Sequence, residues 1–314
     1  MTPTLVSAAS AAVYADCEHN IVVHLIDANV SDETFSNFES ALENLNNFVS
    51  VVRHKWQTHE FDQYPEWHGN RVIYARLVIQ DLIPTEDWAV SLDGDTLWLG
   101  SPFELMKLRN DDLFFLASID PEPLDGSMLA TTAWFRSRGL RLPADKSYCA
   151  GLMLLNLRLL RRENFTAKAK KFLSKYPDPP CPEQMVMSYI CRDKTAPLPA
   201  NWGVFSLYHT KVNFTNGGLV HYVSDAPWNR ASRIKLISDV VEMWYRCAQL
   251  ALGLDLKAAY LSRFEYLWKR LLFLCFKLLI HVFCDSRWIL RKCINAKGFT
   301  FSEMSRLNER WSHA

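Results

Sequence analysis

The sequence lacks several features that would place it quickly. No apolar run is long enough to span a bilayer: the most apolar stretch, residues 271–284, falls short of the ~20 residues required. Neither sign of charge is in surplus, with 35 Lys and Arg against 34 Asp and Glu, so nothing in the chain as a whole asks for nucleic acid or another polyanion. The eight cysteines (17, 149, 181, 191, 247, 275, 284 and 293) include no C-x-x-C pair. In a chain this long they read as reduced core residues of a cytosolic protein rather than a disulfide framework. The opening residues, Met1-Thr-Pro-Thr-Leu-Val-Ser-Ala-Ala-Ser10, carry no basic n-region and read as a helix, not a secretory signal. What remains is ordinary globular composition, 49% hydrophobic and 22% charged over 314 residues. That is enough for one large domain, or a domain with an appendage.

Along the chain, strand and helix signals alternate. Residues 4–14 are Ala-rich and suit a short helix. Ile21-Val-Val-His-Leu-Ile-Asp27 is a β-branched, apolar run typical of a strand buried on both faces. Ser31 opens a helix with acidic residues in its first turn, and Phe35, Phe38, Leu42 and Leu45 recur at helical spacing. Residues 48–52 form the next strand candidate, 54–69 a loop, and 70–82 a helix that ends before Pro84. Further strands are expected over 88–92, 112–118 and 148–157, with helices from Pro102, over 158–175 and over 183–190. Residues 120–146 read as a long functional loop. The alternation predicts an α/β fold with a mainly parallel central sheet flanked by helices.

One strand ends in chemistry. In Trp88-Ala-Val-Ser-Leu-Asp-Gly-Asp-Thr-Leu-Trp-Leu99 an apolar run stops at two carboxylates, Asp93 and Asp95, then resumes. Ligands of open α/β sheets gather beyond the carboxyl ends of strands, so this pair suits a divalent cation. Gly94 between them lets the backbone bend or approach a ligand closely.

Four blocks in order then resemble glycosyltransferase family 8, the retaining transferases of the Rossmann-like GT-A fold. They are the helical Tyr74-Ala-Arg-Leu-Val-Ile-Gln-Asp-Leu-Ile-Pro84, Ser91-Leu-Asp-Gly-Asp-Thr96, and Tyr148-Cys-Ala-Gly-Leu-Met-Leu-Leu-Asn-Leu157. The fourth is a composite of Pro182-Glu-Gln-Met185, Leu198-Pro with Asn201-Trp202, Val220-His-Tyr222 and Pro227-Trp228. The resemblance covers about residues 5–229 and implies a catalytic domain over 1–229. The family's first strand, which holds the nucleoside, would precede the helix with which this sequence opens. The resemblance implies Mn²⁺ or Mg²⁺ on Asp93, Asp95 and His221, and a UDP-hexose donor carrying galactose or glucose. Arg76, Asp93, Gly94, Asp95, Cys149, Ala150 and Ser224 would line the donor, with Gln184 and Glu183 at the reacting sugar. Departures are Cys149 for the family's Asn, Glu183 for its Asp, and Ser224 and Ala226 for a Gly and a diphosphate-neutralising Lys. Read from its own surroundings, Cys149 is a packing residue rather than a nucleophile.

Residues 230–314 differ in composition and read as a helical extension. An amphipathic helix is expected over 231–252, closed by Gly253, with Asp255 capping the next and a capping box at Thr300-Phe-Ser-Glu303. Large apolar residues interleaved with Lys and Arg over 255–297 suit a helix lying on an anionic membrane surface, or one packing its apolar side on the catalytic domain. By analogy with the family's lipopolysaccharide enzymes, the acceptor would be a surface glycan or glycolipid at the inner face of the cytoplasmic membrane. The competing reading is a catalytically degenerate, membrane-associated relative that binds or scaffolds.

Overall fold

A computed structural model describes residues 1–56, 59–66, 69, 71–119, 127–142, 147–205, 214, 217–223, 226–228, 238–260 and 263–283. The expected capping box at 300–303 and Ser224 lie outside these residues, as do residues 231–237, the first part of the helix expected over 231–252.

Helix α1 (Thr2–Ala12) leads into β1 (Ile21–Asp27), α2 (Asp32–Leu45) and β2 (Val49–Lys55). Ser31 caps α2 by accepting from Thr34 N at 3.2 Å, and the apolar positions of α2 bury Phe38, Leu42 and Leu45. Strands β1 and β2 pair in parallel, from Ile21↔Val49 to Asp27↔Lys55. The segment expected as one helix over 70–82 is instead a 3₁₀ turn, Val72–Leu77, followed by the four-residue α3 (Ile79–Leu82).

Strand β3 (Trp88–Leu92) then turns through Asp93–Asp95 into the short β4 (Thr96–Trp98). After α4 (Pro102–Met106) come β5 (Phe115–Ile119), α5 (Ser127–Ser137) and β6 (Tyr148–Asn156). The expected loop over 120–146 thus contains a helix, α5, whose Trp134 and Phe135 pack against Phe172, Tyr176 and Tyr189. The helix expected over 158–175 is two, α6 (Leu157–Arg162) and α7 (Phe165–Lys175). The break falls at Asn164, in the left-handed region with φ 52°. The chain continues through α8 (Pro182–Cys191), β7 (Thr195–Pro197), β8 (Trp202–Phe205), β9 (Leu219–His221), α9 (Asp239–Leu252), α10 (Leu256–Tyr260) and α11 (Arg263–Phe283).

The α/β architecture is as expected, but the strand directions are mixed rather than mainly parallel. A four-stranded sheet has the order β3-β6-β5-β7, and a three-stranded sheet the order β4-β9-β8. The wholly buried β6 runs against both neighbours, β3 and β5. A helix between two strands permits a parallel crossover without enforcing one, which is why alternation alone misjudged the direction.

The core does not stop at residue 229. Val240, Val241, Met243, Trp244 and Tyr245 of α9 are buried in one cluster with Val6, Ala9 and Ala12 of α1, Phe38 and Leu42 of α2, and Leu97 beside the acidic turn. Helix α9 is therefore structurally part of the body that carries the site.

Candidate metal and donor site

The three candidate ligands meet because of one strand pairing. Strands β4 and β9 are antiparallel with Thr96 opposite His221, and Tyr222 N donates to Asp95 O at 2.8 Å. That register brings His221 alongside Asp95 at the end of β3. His221 Nε2 lies 3.1 Å from Asp95 Oδ1 and 3.6 Å from Asp93 Oδ2, and one ligand atom from each residue falls within 4.8 Å of the others. Such a group could hold a metal ion. Two carboxylates and one imidazole suit a hard or borderline divalent cation.

The turn itself is pinned from below. Thr96 Oγ1 donates to Asp93 O at 3.0 Å and meets Ser7 Oγ of α1 at 2.6 Å, while Trp98 N donates to Ser10 Oγ at 3.0 Å. Gly94 makes its close approach to α1: a Cβ there would fall 2.5 Å from Thr4 Oγ1. The missing side chain therefore leaves room for α1 to pack against the turn.

His221 is held on both sides. Its Nδ1 lies 3.7 Å from Cys149 Sγ, and Phe205 meets its ring edge-on at 5.4 Å. Cys149 is buried and touches the imidazole. Gly151 is the residue that sequence reasoning passed over. A Cβ there would stand 2.1 Å from His221 Cε1, so only glycine leaves room for the ring. The signal was the glycine inside an otherwise bulky buried strand.

Arg76 ties the rest together. Its guanidinium donates from Nη2 to Asp93 Oδ1 at 2.7 Å, from Nη1 to Glu183 Oε1 at 3.3 Å, and from Nε to Ser91 Oγ at 3.0 Å. Burial works against the Asp93 carboxylate, but Arg76 and His221 outweigh it and hold its pKa below the ordinary value. Burial also dominates at Glu183, where Arg76 compensates only in part and Asp93 adds to the rise, so its carboxyl is pushed up to about 7. At His221 burial alone would lower the pKa, yet the contacts with Asp95 and Cys149 raise it well above 6.5. Perturbed carboxyls and imidazoles gathered in one place mark candidate functional sites. Gln184 follows Glu183 at the start of α8, and its Oε1 accepts from Ala150 N at 3.1 Å. Asp93, Asp95, His221, Arg76, Glu183, Gln184, Cys149 and Ala150 are thus brought together through direct contacts.

This fold and residue set agree with the comparisons with known proteins. Residues 1–232 match the model of glycosyl transferase family 8, and the chain belongs to that family of glycosyltransferases. Among solved structures it is similar to the galactosyltransferase LgtC in complex with donor and acceptor sugar analogues. That likeness has 17% identity and a TM-score of 0.61, covering 81% of this chain and 96% of that one. It is also similar to the bifunctional WbbM in its apo form, at 18% identity and a TM-score of 0.58 over 73% of this chain; it spans only 45% of WbbM. Mouse xyloside xylosyltransferase 1, apo form, gives 13% identity and a TM-score of 0.53, over 72% of this chain and 93% of that one. At such identities these likenesses speak to the GT-A fold alone. No curated protein sequence matches.

Proposed function

We propose that this chain transfers a hexose, galactose or glucose, from a UDP-sugar with retention of configuration, using Mn²⁺ or Mg²⁺ on Asp93, Asp95 and His221. What supports this most is the convergence of those three side chains next to the Arg76–Glu183 pair. When bound, such an ion stabilises the negative charge that builds on a departing diphosphate. Arg76 keeps Asp93 ionised and fixes its orientation, so the ligand set is formed in advance. Glu183 faces the sugar: its Oε2 is buried without a hydrogen-bond partner among the described residues, a place for a sugar hydroxyl to donate. Gln184, oriented by the Ala150 N–H, lies beside the reacting carbon. The donor diphosphate then takes the proton of the incoming hydroxyl.

The acceptor in this reading is a surface glycan or glycolipid, and α11 supports it. Phe264 is 77% exposed and Trp268 53%, with Leu267, Leu271, Leu272 and Leu274 also outward. Arg270 instead turns inward to Asp239 at 2.9 Å, and Tyr266 to Glu242. No helix among the described residues is long and apolar enough to cross a membrane, so α11 and the residues around it, 255–297, would lie on an anionic inner-membrane surface. Within this reading, 1–229 carries the donor chemistry and 230–314 the membrane contact.

The test is a panel of UDP-hexoses with Mn²⁺. One of them should be slowly hydrolysed or transferred, and Asp95→Ala should abolish this. Failure to bind any UDP-sugar in the presence of Mn²⁺ would refute the enzyme reading and return the chain to the degenerate binding relative.

A further inference from the structure

Cys149 stands where the family resemblance expects an asparagine, and its sulfur has found a partner of its own. Cys149 and Gly151 lie two residues apart on β6 and so share one face of that strand. The His221 ring lies across this face. Gly151 leaves the space that the ring occupies, and Cys149 Sγ meets the ring at Nδ1, 3.7 Å away. Cys149 and His221 are each only 5% exposed. Gly151 N also donates to Cys149 Sγ at 3.5 Å, so the sulfur is held in place and already serves as an acceptor. Among the described residues it is the one hydrogen-bonding group that Nδ1 meets.

The two ring nitrogens therefore have different neighbours. Nε2 faces carboxylates, Asp95 Oδ1 at 3.1 Å and Asp93 Oδ2 at 3.6 Å, while Nδ1 faces sulfur. A histidine that binds an ion through Nε2 keeps its single proton on Nδ1, and the acceptor at Nδ1 fixes that arrangement. Asp95 competes for the same proton. Carried on Nε2 instead, the proton would be donated to Asp95 and leave the ring no lone pair for an ion. Sulfur is a weak acceptor, yet the alternative is a buried N–H with no partner.

We propose that Cys149 is the positioning residue of His221. In the ion-loaded site its sulfur holds the Nδ1 proton, and the Nε2 lone pair is thereby presented to the ion between Asp93 and Asp95. The sulfur lies outside the 4.8 Å group of ligand atoms, so it orients a ligand and is not one. Its bond to the ring also takes it away from the donor, where the family resemblance would put residue 149. This role rests on the metal reading given above.

The experiment compares the unaltered chain with three variants. Cys149→Val and Cys149→Ala both remove the acceptor, one adding bulk and the other leaving a gap. Cys149→Asn restores an acceptor as an amide oxygen. Mn²⁺ affinity is read by calorimetric titration. The Nδ1 proton of His221 is read by NMR, with Zn²⁺ as the diamagnetic probe. The Val and Ala variants should both bind Mn²⁺ about 10- to 100-fold more weakly, and the Asn variant should recover most of the loss. The Nδ1 proton should move upfield in the Val and Ala variants, a change that packing alone would not produce. Unchanged affinity in both acceptor-free variants would overturn the proposal. A loss confined to one of them, with the Nδ1 proton unmoved, would overturn it too and leave Cys149 a packing residue. An unaltered chain that takes up no Mn²⁺ would refute the metal reading and this role together. Uptake that both acceptor-free variants match would refute this role alone.

Discussion

The acidic turn after β3 and helix α11 dispose their polar groups in opposite ways. At the turn, charged side chains are drawn inward and matched: Arg76 against Asp93 and Glu183, His221 against Asp95. In α11 the ionic and hydroxyl contacts, Arg270 to Asp239 and Tyr266 to Glu242, fasten the helix to α9, while Phe264, Leu267, Trp268 and Leu271 face out. Inward charge costs desolvation and is tolerated where geometry must be fixed in advance. Outward apolar surface is tolerated where something else is to cover it. The first arrangement suits chemistry, the second attachment.

That contrast is most sharply broken at Arg76. Arg76→Met would leave Asp93 and the buried Glu183 without their cation, and a loss of about 3 kcal/mol in urea unfolding is expected. Adding Glu183→Gln should recover part of it. Gly151→Ala comes next: its methyl would displace the His221 ring, and Mn²⁺ affinity by calorimetric titration should fall about 10- to 100-fold.

A smaller effect follows from Glu183, whose carboxyl sits at about 7 instead of 4.5. Between those values the folded chain holds a proton that the unfolded chain has released, so this group's contribution to stability declines as pH rises from 4.5 through 7. Glu183→Gln should flatten the slope of the thermal midpoint over that window; an unchanged slope would assign it to other groups. On the other side of the comparison, Trp268→Lys with Leu271→Lys should shift stability by only about 0.5 kcal/mol, since both residues are exposed. The same pair should weaken partitioning onto anionic vesicles in a sedimentation assay, and undiminished partitioning would make α11 a packing element only.

Much of the fold was legible where the cause is local. Ser31 before two acids announces α2, and Gly253, in the left-handed region at φ 65°, closes α9 where the amphipathic pattern ends. Other features depend on neighbours that the sequence does not name. The direction of β6 depends on the strands on either side of it, and the break at Asn164 depends on one residue adopting a left-handed φ that many asparagines never take. At the site, Asp93 and Asp95 declare themselves as a local pair. His221 came only through the family resemblance, because strand register, not spacing along the chain, brings it there. The role of Gly151 was hidden for the same reason. In α11 the apolar residues are so many that pattern alone could not say which side faces α9.

The Thr96↔His221 register has a consequence in time as well as space. Two ligands of the candidate ion lie on one turn, while the third waits for a strand from the far end of the domain. Closing so long a loop is slow, since its entropy must be lost before the contact forms. The ion can therefore be captured by all three side chains only after β9 has docked, late in folding. Tight Mn²⁺ uptake during refolding would then work as a clock, starting when the last strand of that sheet is home.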